Sequence, residues 1–466
     1  MSPQKLLAVV AVLALTISSG AAQARGGFVG GPPMGAGGLP PGIGGPPPGV
    51  GNGPPAGIGG FGPPSTPPTP PGLSDAARAV GRPDSPPGEA ISAAARALRR
   101  DQVGRPTAAG ILFRVLAHDD QGHEIVRGEL IAVSPSGADL AAARRLHFTV
   151  LRQDRLATLG LSSVTLRVPD GMTAIAALAA LRRADGAGNF DYAHIYNPSG
   201  AAKRPAIPGA QPASATAKGI VLGMIDGGID MRHRSLRDAA ITVRNFAGHN
   251  DSPATAHGTA IASLLVGRDG DFSGNLPGAR LYVADVYGGA ADGGSADDLA
   301  RALDWMAARG IAVTNISLAG PPNALLAAAV KAFVAGGHVL VAAAGNDGPA
   351  GPLNYPAAYP GVISVTSVDA DQHLQLDANR TRCRFAARGV DVRAANLPDG
   401  YADFTGTSYA APVVTARFAL LVRRPDVRRA RMAQDRLARA SSRIAGLATP
   451  LYLISGANIA GSAEAN

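Results

Sequence analysis

The sequence predicts an α/β domain whose mostly parallel sheet is covered by helices on both faces, preceded by a smaller α+β domain. Two observations carry the prediction. From Lys218 onward, five apolar runs of strand length, GIVLGMID, ARLYVADV, IAVTNISL, HVLVAAAG and GVISVTSV, alternate with helical stretches such as HGTAIASLLVG, ADDLARALDWMAAR and NALLAAAVKAFVAG. Runs without polar alternation suit strands buried on both faces, as in a parallel sheet. Over roughly ninety residues from Ile111, shorter strand and helix patterns interleave instead, as expected when helices pack on one face of an antiparallel sheet.

In chain order, residues 1–24 join one lysine, Lys5, to the apolar run Leu6 to Ile17 and the small-x-small triplet Ala22-Gln23-Ala24. That is the layout of a secretory signal peptide, too short to span a bilayer comfortably, so export without a permanent anchor to the periplasm or medium is expected. Residues 25–74 are a Gly/Pro tract that cannot bury enough apolar surface to offset its ordering entropy, and they read as a disordered linker. Its GIGGFG has neither a strand before it nor a helix after it, so the match to a dinucleotide fingerprint is compositional. Residues 75–104 hold Ile91, Ala94, Ala95 and Leu98 at helical spacing and read as a short helical linker.

The α+β segment, 105–196, contains the strands GELIAVSP, HFTVLRQ, SSVTLRVP and FDYAHIY with the helices DLAAARRL and TAIAALAALRRA. Its loop HDDQGHE offers His118, His123 and Glu124, read as solvated side chains and not as metal ligands. Residues 197–466 form the large domain. With 466 residues and 46% apolar content a sizeable core is available. A formal charge of +9 raises the question of an anionic partner, but the arginines are dispersed among alanines, nine of them from Arg417 to Arg443, which reads as a solvated basic surface. No nucleic-acid partner is expected. The single cysteine, Cys383, excludes an intramolecular disulfide framework and reads as an inert thiol.

Ligands of such sheets sit at the carboxyl ends of the strands. Asp226 ends GIVLGMID, Asn346 follows HVLVAAAG, His257 opens one small-residue helix and Ser408 opens another within FTGTSYAAP. Each alone is weak, since a strand-end Asp is commonly a turn or cap residue. Together they supply an acyl-transfer site: Ser408 as nucleophile, His257 as general base and acid, Asp226 to orient the imidazole, and the Asn346 side chain with the Ser408 amide to receive an oxyanion.

At this point the chain resembles the subtilisin-like serine proteases, the subtilases (peptidase family S8). The matching motifs are VLGMIDGGID, HGTAIAS, NISLAG, AAAGNDG and GTSYAAP, in the order Asp, His, Ser. The order and the lack of GxSxG separate it from the α/β-hydrolases. The resemblance implies a serine endopeptidase of subtilisin-like fold, made as a zymogen whose segment 105–196 is a ferredoxin-like propeptide acting as chaperone and temporary inhibitor. AHIY resembles the tail such propeptides present to the site, which implies self-cleavage between Tyr196 and Asn197. It further implies protein or peptide substrates held as a strand between Ser317-Leu318-Ala319 and Gly293-Gly294, and a first specificity pocket walled by Ala343 to Gly345 with Asn354 near its base. No acidic residue is expected there. The resemblance also implies a monomer without a cofactor; calcium is conceivable at Asp269 and Asp271 but not predicted, and no metal ligands are assigned.

Three positions and one loop depart from the family pattern. Gly227 replaces a Thr or Ser, at the expense of one supporting hydrogen bond. Ala319 replaces a glycine on the substrate edge. The loop VGRDGDFSGNLPGA is shortened, and Tyr409 stands where relatives carry methionine. Two rival readings remain open on sequence alone: an envelope binding or structural protein on the same fold, and a non-proteolytic acyl hydrolase using the same triad.

Overall fold

The computed structural model describes residues 116–184, 188–205, 217–247, 252–289, 293–352, 354–445, 447 and 449–454. The segments read as signal peptide, Gly/Pro linker and helical linker lie outside the described residues.

The smaller domain contains β1 (Leu116–His118), β2 (Glu124–Val133), α1 (Gly137–Arg145), β3 (Thr149–Leu156), β4 (Leu161–Arg167), α2 (Ala174–Ala184) and β5 (Phe190–Pro198). Its strands run antiparallel in the order β5-β2-β4-β3, with β1 added to β2. Helix α1 starts at a reciprocal capping box between Ser136 and Asp139, so the amides of both residues have partners. Strand periodicity explains why this sheet is buried on both sides. Leu130 and Ala132 of β2 face the domain's own helices through Leu178 and Leu181, while the intervening Ile131 and Val133 pack into a core shared with the large domain.

The large domain adds β6 (Ala201–Pro205), β7 (Val221–Asp226), β8 (Ala240–Asn245), α3 (Ala256–Val266), the hairpin β9 (Arg268–Asp269) and β10 (Phe272–Ser273), β11 (Arg280–Asp285), β12 (Gly294–Ser295) and α4 (Ala296–Ala308). It continues through β13 (Val313–Ile316), β14 (Leu318–Ala319), α5 (Ala324–Ala335), β15 (Val339–Ala343), β16 (Ile363–Val368), β17 (Phe385–Arg388), β18 (Val392–Asn396), β19 (Gly400–Thr405), α6 (Thr407–Leu421), α7 (Val427–Ala440), β20 (Ser442–Arg443) and β21 (Tyr452–Ile454). The main sheet has the order β20-β21-β17-β16-β15-β13-β7-β11-β8 and is parallel except for β20. Helices α3 and α6 pack on one face and α4 and α5 on the other, the layering expected from the sequence.

The sheet is longer than the five apolar runs foretold. β8, at the edge, alternates half-buried and exposed residues, and β17 has only four residues, so neither presents a continuous apolar run. β7, β13 and β15 lie side by side in the middle, and α3 and α6 begin over their carboxyl ends. That is where the sequence places its polar residues.

Candidate active site

Strand β7 delivers Asp226 to the floor of the site, fully buried. Helix α3 is capped by Thr255, whose hydroxyl accepts from the Gly258 amide, and its first turn carries His257. The His257 Nδ1–Asp226 Oδ1 distance is 2.9 Å, and the same oxygen accepts from the Gly227 amide at 2.8 Å. An ionised carboxylate can only accept, so Nδ1 carries the proton and Nε2 presents its lone pair. That Nε2 is buried without a hydrogen-bond partner.

Ser408 opens α6 and is likewise fully buried. Its Oγ donates to the Ser317 carbonyl at 3.0 Å, while Ser317 Oγ donates to the Ser408 carbonyl at 3.1 Å. Pro412 explains the second bond. Having no N–H, a proline inside a helix leaves the carbonyl four residues earlier without its helical donor; here that carbonyl is Ser408's, and Ser317 takes it. Ser317 is held in turn by Asn315, whose Nδ2 donates to its Oγ at 3.0 Å and whose Oδ1 accepts from Thr415 Oγ1 at 2.9 Å.

The Ser408 amide donates to the Ser199 carbonyl at 3.2 Å. Asn346 stands opposite. Its Oδ1 accepts from the Thr407 amide at 3.1 Å, which leaves Nδ2 as the free donor end. A Cβ on Gly406 would lie 2.7 Å from the Ser199 oxygen and 3.1 Å from Asn346 Nδ2, so only glycine lets these groups share the space before the helix. The order Gly406-Thr407-Ser408 is thereby accounted for: Gly406 makes room, and Thr407 Oγ1 accepts from the Gly345 amide at 3.0 Å, tying α6 to the end of β15.

Gly227 also has a local reason. A Cβ there would come within 2.6 Å of Thr255 Oγ1 and 2.7 Å of the Tyr287 ring. The second Asp226 oxygen, Oδ2, is buried without a partner, as the missing hydroxyl at residue 227 leads one to expect. Burial, with the Asp226 charge adding to it, holds the Tyr287 and Tyr409 hydroxyls above their ordinary pKa and raises the Asp285 carboxyl. Both phenols are therefore neutral beside the Asp226 carboxylate. Tyr409 is buried, its ring 5.7 Å from that of His257.

Strand β5 runs through this site. Gly294 pairs with Tyr196; Ala319 pairs with Asn197 and Leu318 with Pro198, and the Ser199 amide donates to the Ser317 carbonyl at 3.3 Å. Gly293 lies so close that a Cβ would meet the Tyr196 carbonyl oxygen at 2.1 Å. The two expected edges thus flank a strand, but its register differs from the expectation. Tyr196, expected from the sequence at the bond to be cut, lies upstream of Ser408 and is fully buried with its hydroxyl donating to the Pro321 carbonyl at 2.7 Å. The carbonyl over Ser408 belongs to Ser199. The likeness of AHIY to a propeptide tail gives no measure of how far a strand anchored by a buried ring reaches.

Asn354 donates to the Ala344 carbonyl at 3.2 Å and to the Asp347 carboxylate at 2.6 Å. A carboxylate therefore does approach the Ala343 to Gly345 wall, contrary to the expectation of none. The loop histidine His123 is also not merely solvated: it pairs with Asp119 at 3.0 Å, while Glu124 accepts from Asn197. Asp119 also receives His194 Nε2 at 3.1 Å. These three could encircle an ion by distance, but Asn323 argues against it. Its Oδ1 caps α5, so its Nδ2 must donate to His194 Nδ1 at 3.1 Å, leaving the proton on the Nε2 that a metal would need. Asp269 accepts from Tyr401 at 2.9 Å, and Asp271 from Arg393 at 2.9 Å. Cys383 is buried. Sequence reasoning missed Ser199, Gly200, Tyr287 and Asn323; the small pair Ser199-Gly200 beside a tail-like strand was the available signal.

Residues 217–449 match the Subtilase family. The chain is 31% identical over 223 residues to Subtilisin Savinase of Lederbergia lenta, covering 47% of this chain and 81% of that one. It is 31% identical to the Alkaline protease of Alkalihalobacillus alcalophilus over 47% of this chain, spanning 58% of that relative. Among solved structures, its fold is shared by fervidolysin of Fervidobacterium pennivorans, a keratinolytic enzyme related to subtilisin, with TM-score 0.60 and 19% identity over 74% of this chain and 62% of that one.

Proposed function

The chain belongs to the subtilase family of serine endopeptidases, and we propose that Asp226, His257 and Ser408 are its catalytic triad, acting in an exported precursor that processes itself. The single observation that carries the reading is the combination of a 2.9 Å His257–Asp226 contact with a substrate-like carbonyl held by the Ser408 amide. Rotation of Ser408 about χ1 exchanges the Ser317 carbonyl for the vacant His257 Nε2, which takes the hydroxyl proton as Oγ attacks the carbonyl carbon. The Ser408 amide and the Asn346 side chain receive the oxyanion. His257 then returns the proton to the leaving amine, and water repeats the sequence on the acyl-enzyme while Asp226 holds the imidazole in its useful tautomer.

Residues 105–196 and the few that follow act in this reading as propeptide and first inhibitor. What supports this is the burial of one face of its sheet on α4 and α5 and the passage of β5 between β12 and β14. Later substrates would be protein or peptide segments added as a strand between the same edges. The leader-like residues 1–24 support export to the periplasm or medium, and no described helix is long and apolar enough to cross a membrane. The enzyme works as a monomer. A serine-directed fluorophosphonate tests the assignment: it should label Ser408, found by peptide mapping, and His257→Ala should abolish the label. Labelling elsewhere, or undiminished labelling of His257→Ala, refutes it.

A further inference from the structure

We propose that the bond this precursor cuts is Ser199–Gly200, and that the enzyme selects a glycine after the bond. The inference rests on the self-processing reading above and specifies which bond it uses. Two hydrogen bonds and two strand pairs set the register. The Ser408 amide holds the Ser199 carbonyl, the Ser199 amide holds the Ser317 carbonyl, and the pairs Pro198–Leu318 and Asn197–Ala319 continue the same ladder. The carbonyl of Tyr196 faces Gly293 instead, on the other edge. In a strand the register is all or none, because a slip moves every side chain and every hydrogen bond together.

The residue after the bond is enclosed. Gly200 has φ of 146°, and a Cβ there would stand 2.7 Å from the Tyr409 ring, 3.0 Å from the Thr405 carbonyl and 3.3 Å from the Gly406 Cα. Two of those three atoms are backbone, so the wall cannot yield by rotating a side chain. Tyr409 is itself buried against Phe404 and His257. Beyond Gly200 the chain continues as β6 on β19, which holds the leaving side in line until the bond breaks. Upstream, Tyr196 fills its site beside Gly320 and donates to Pro321. The anchoring ring thus sits four residues before the bond, while Ser199, small and buried, occupies the place next to it.

The chemistry balances within the chain. Ser408 Oγ forms the ester to the Ser199 carbonyl carbon, its proton passes through His257 to the Gly200 nitrogen as the C–N bond breaks, and water then releases the Ser199 carboxylate and restores the hydroxyl. The test has two arms. The large fragment formed by the full chain is sequenced from its N-terminus, with Ser408→Ala as control; it should begin at Gly200. A fragment beginning at Asn197 overturns the inference while leaving self-processing intact, and no conversion of the wild type overturns the self-processing reading instead. In the second arm the processed enzyme is given the peptide AHIYNPSGAAK, copied from residues 193–203. Cleavage should fall between Ser and Gly, and replacing that glycine by alanine should lower kcat/KM about tenfold or more, as overpacking a closed site does. Equal rates for the two peptides, or cleavage after the tyrosine, would overturn the inference.

Discussion

The proline of GTSYAAP allows a sharp test of how Ser408 is seated. Pro412 deprives the Ser408 carbonyl of its helical donor, and Ser317 Oγ replaces it at 3.1 Å. In Ser317→Ala that buried carbonyl is left unsatisfied, which costs about 1–3 kcal/mol. In the double variant Ser317→Ala/Pro412→Ala, residue 412 regains an N–H positioned for the same carbonyl, so part of the loss should return. Asn315 Nδ2 also loses its acceptor in Ser317→Ala, but it does so in both backgrounds and cancels from the cycle. The expected coupling is about 1 kcal/mol, well outside the roughly 0.3–0.5 kcal/mol within which independent sites add. All four chains carry Ser408→Ala, which keeps the backbone carbonyl and prevents self-cleavage. Urea unfolding is followed by the fluorescence of Trp305, the chain's single tryptophan, buried on α4. Strict additivity would show that the Ser317 hydroxyl does not stand in for the missing helical bond.

Three further outcomes follow from the same structure. Gly227→Ser should destabilise by about 1–3 kcal/mol, because its Cβ would press on Thr255 and Tyr287; an unchanged unfolding midpoint would contradict the crowding argument. Burial raises the Asp119 carboxyl, but the His123 amide and ring, His194 and the Gln121 amide outweigh it and bring it from 3.8 to about 2. A depressed acid stabilises above its unfolded value and loses that contribution as the pH falls through the folded one, so Tm of the Ser408→Ala chain should fall between pH 4 and 2, and Asp119→Asn should flatten that segment. Burial pushes the Cys383 thiol up to about 11 against the opposing hydrogen bond with Ser364, leaving about a thousandth ionised at pH 8; iodoacetamide should therefore modify Cys383 only after unfolding, and rapid native labelling would refute its burial.

What was legible in the sequence followed from local chemistry. Asp226, His257, Asn346 and Ser408 each stand where a strand ends or a helix begins, so the strand and helix patterns that predict the fold also bring these residues to one rim. The apolar runs of β7, β11, β13, β15 and β16 reveal a buried parallel sheet for the same reason. What the sequence hid depends on long-range pairing. β8 looks like an ordinary half-exposed segment until it is known to be an edge. Asp119, His194 and Asn323 form one chain of hydrogen bonds although 75 and 129 residues separate the successive partners. The register of β5 was hidden in the same way: AHIY reads as a tail, but only the pairing with Gly294 and Ala319 and the bonds of Ser199 to Ser317 and Ser408 show where the chain lies.

The central claim is that Ser408, with His257 and Asp226, cuts the chain that carries it, and the time course of precursor conversion tests it most directly. Wild-type full-length chain should convert with a first-order rate that does not change with protein concentration, since the bond is already seated in its own site. Ser408→Ala and His257→Ala should both stay intact, because triad residues act as a unit, the behaviour already established for subtilisin. Conversion of the Ser408→Ala chain at the wild-type rate, in the absence of any other protease, would contradict the account.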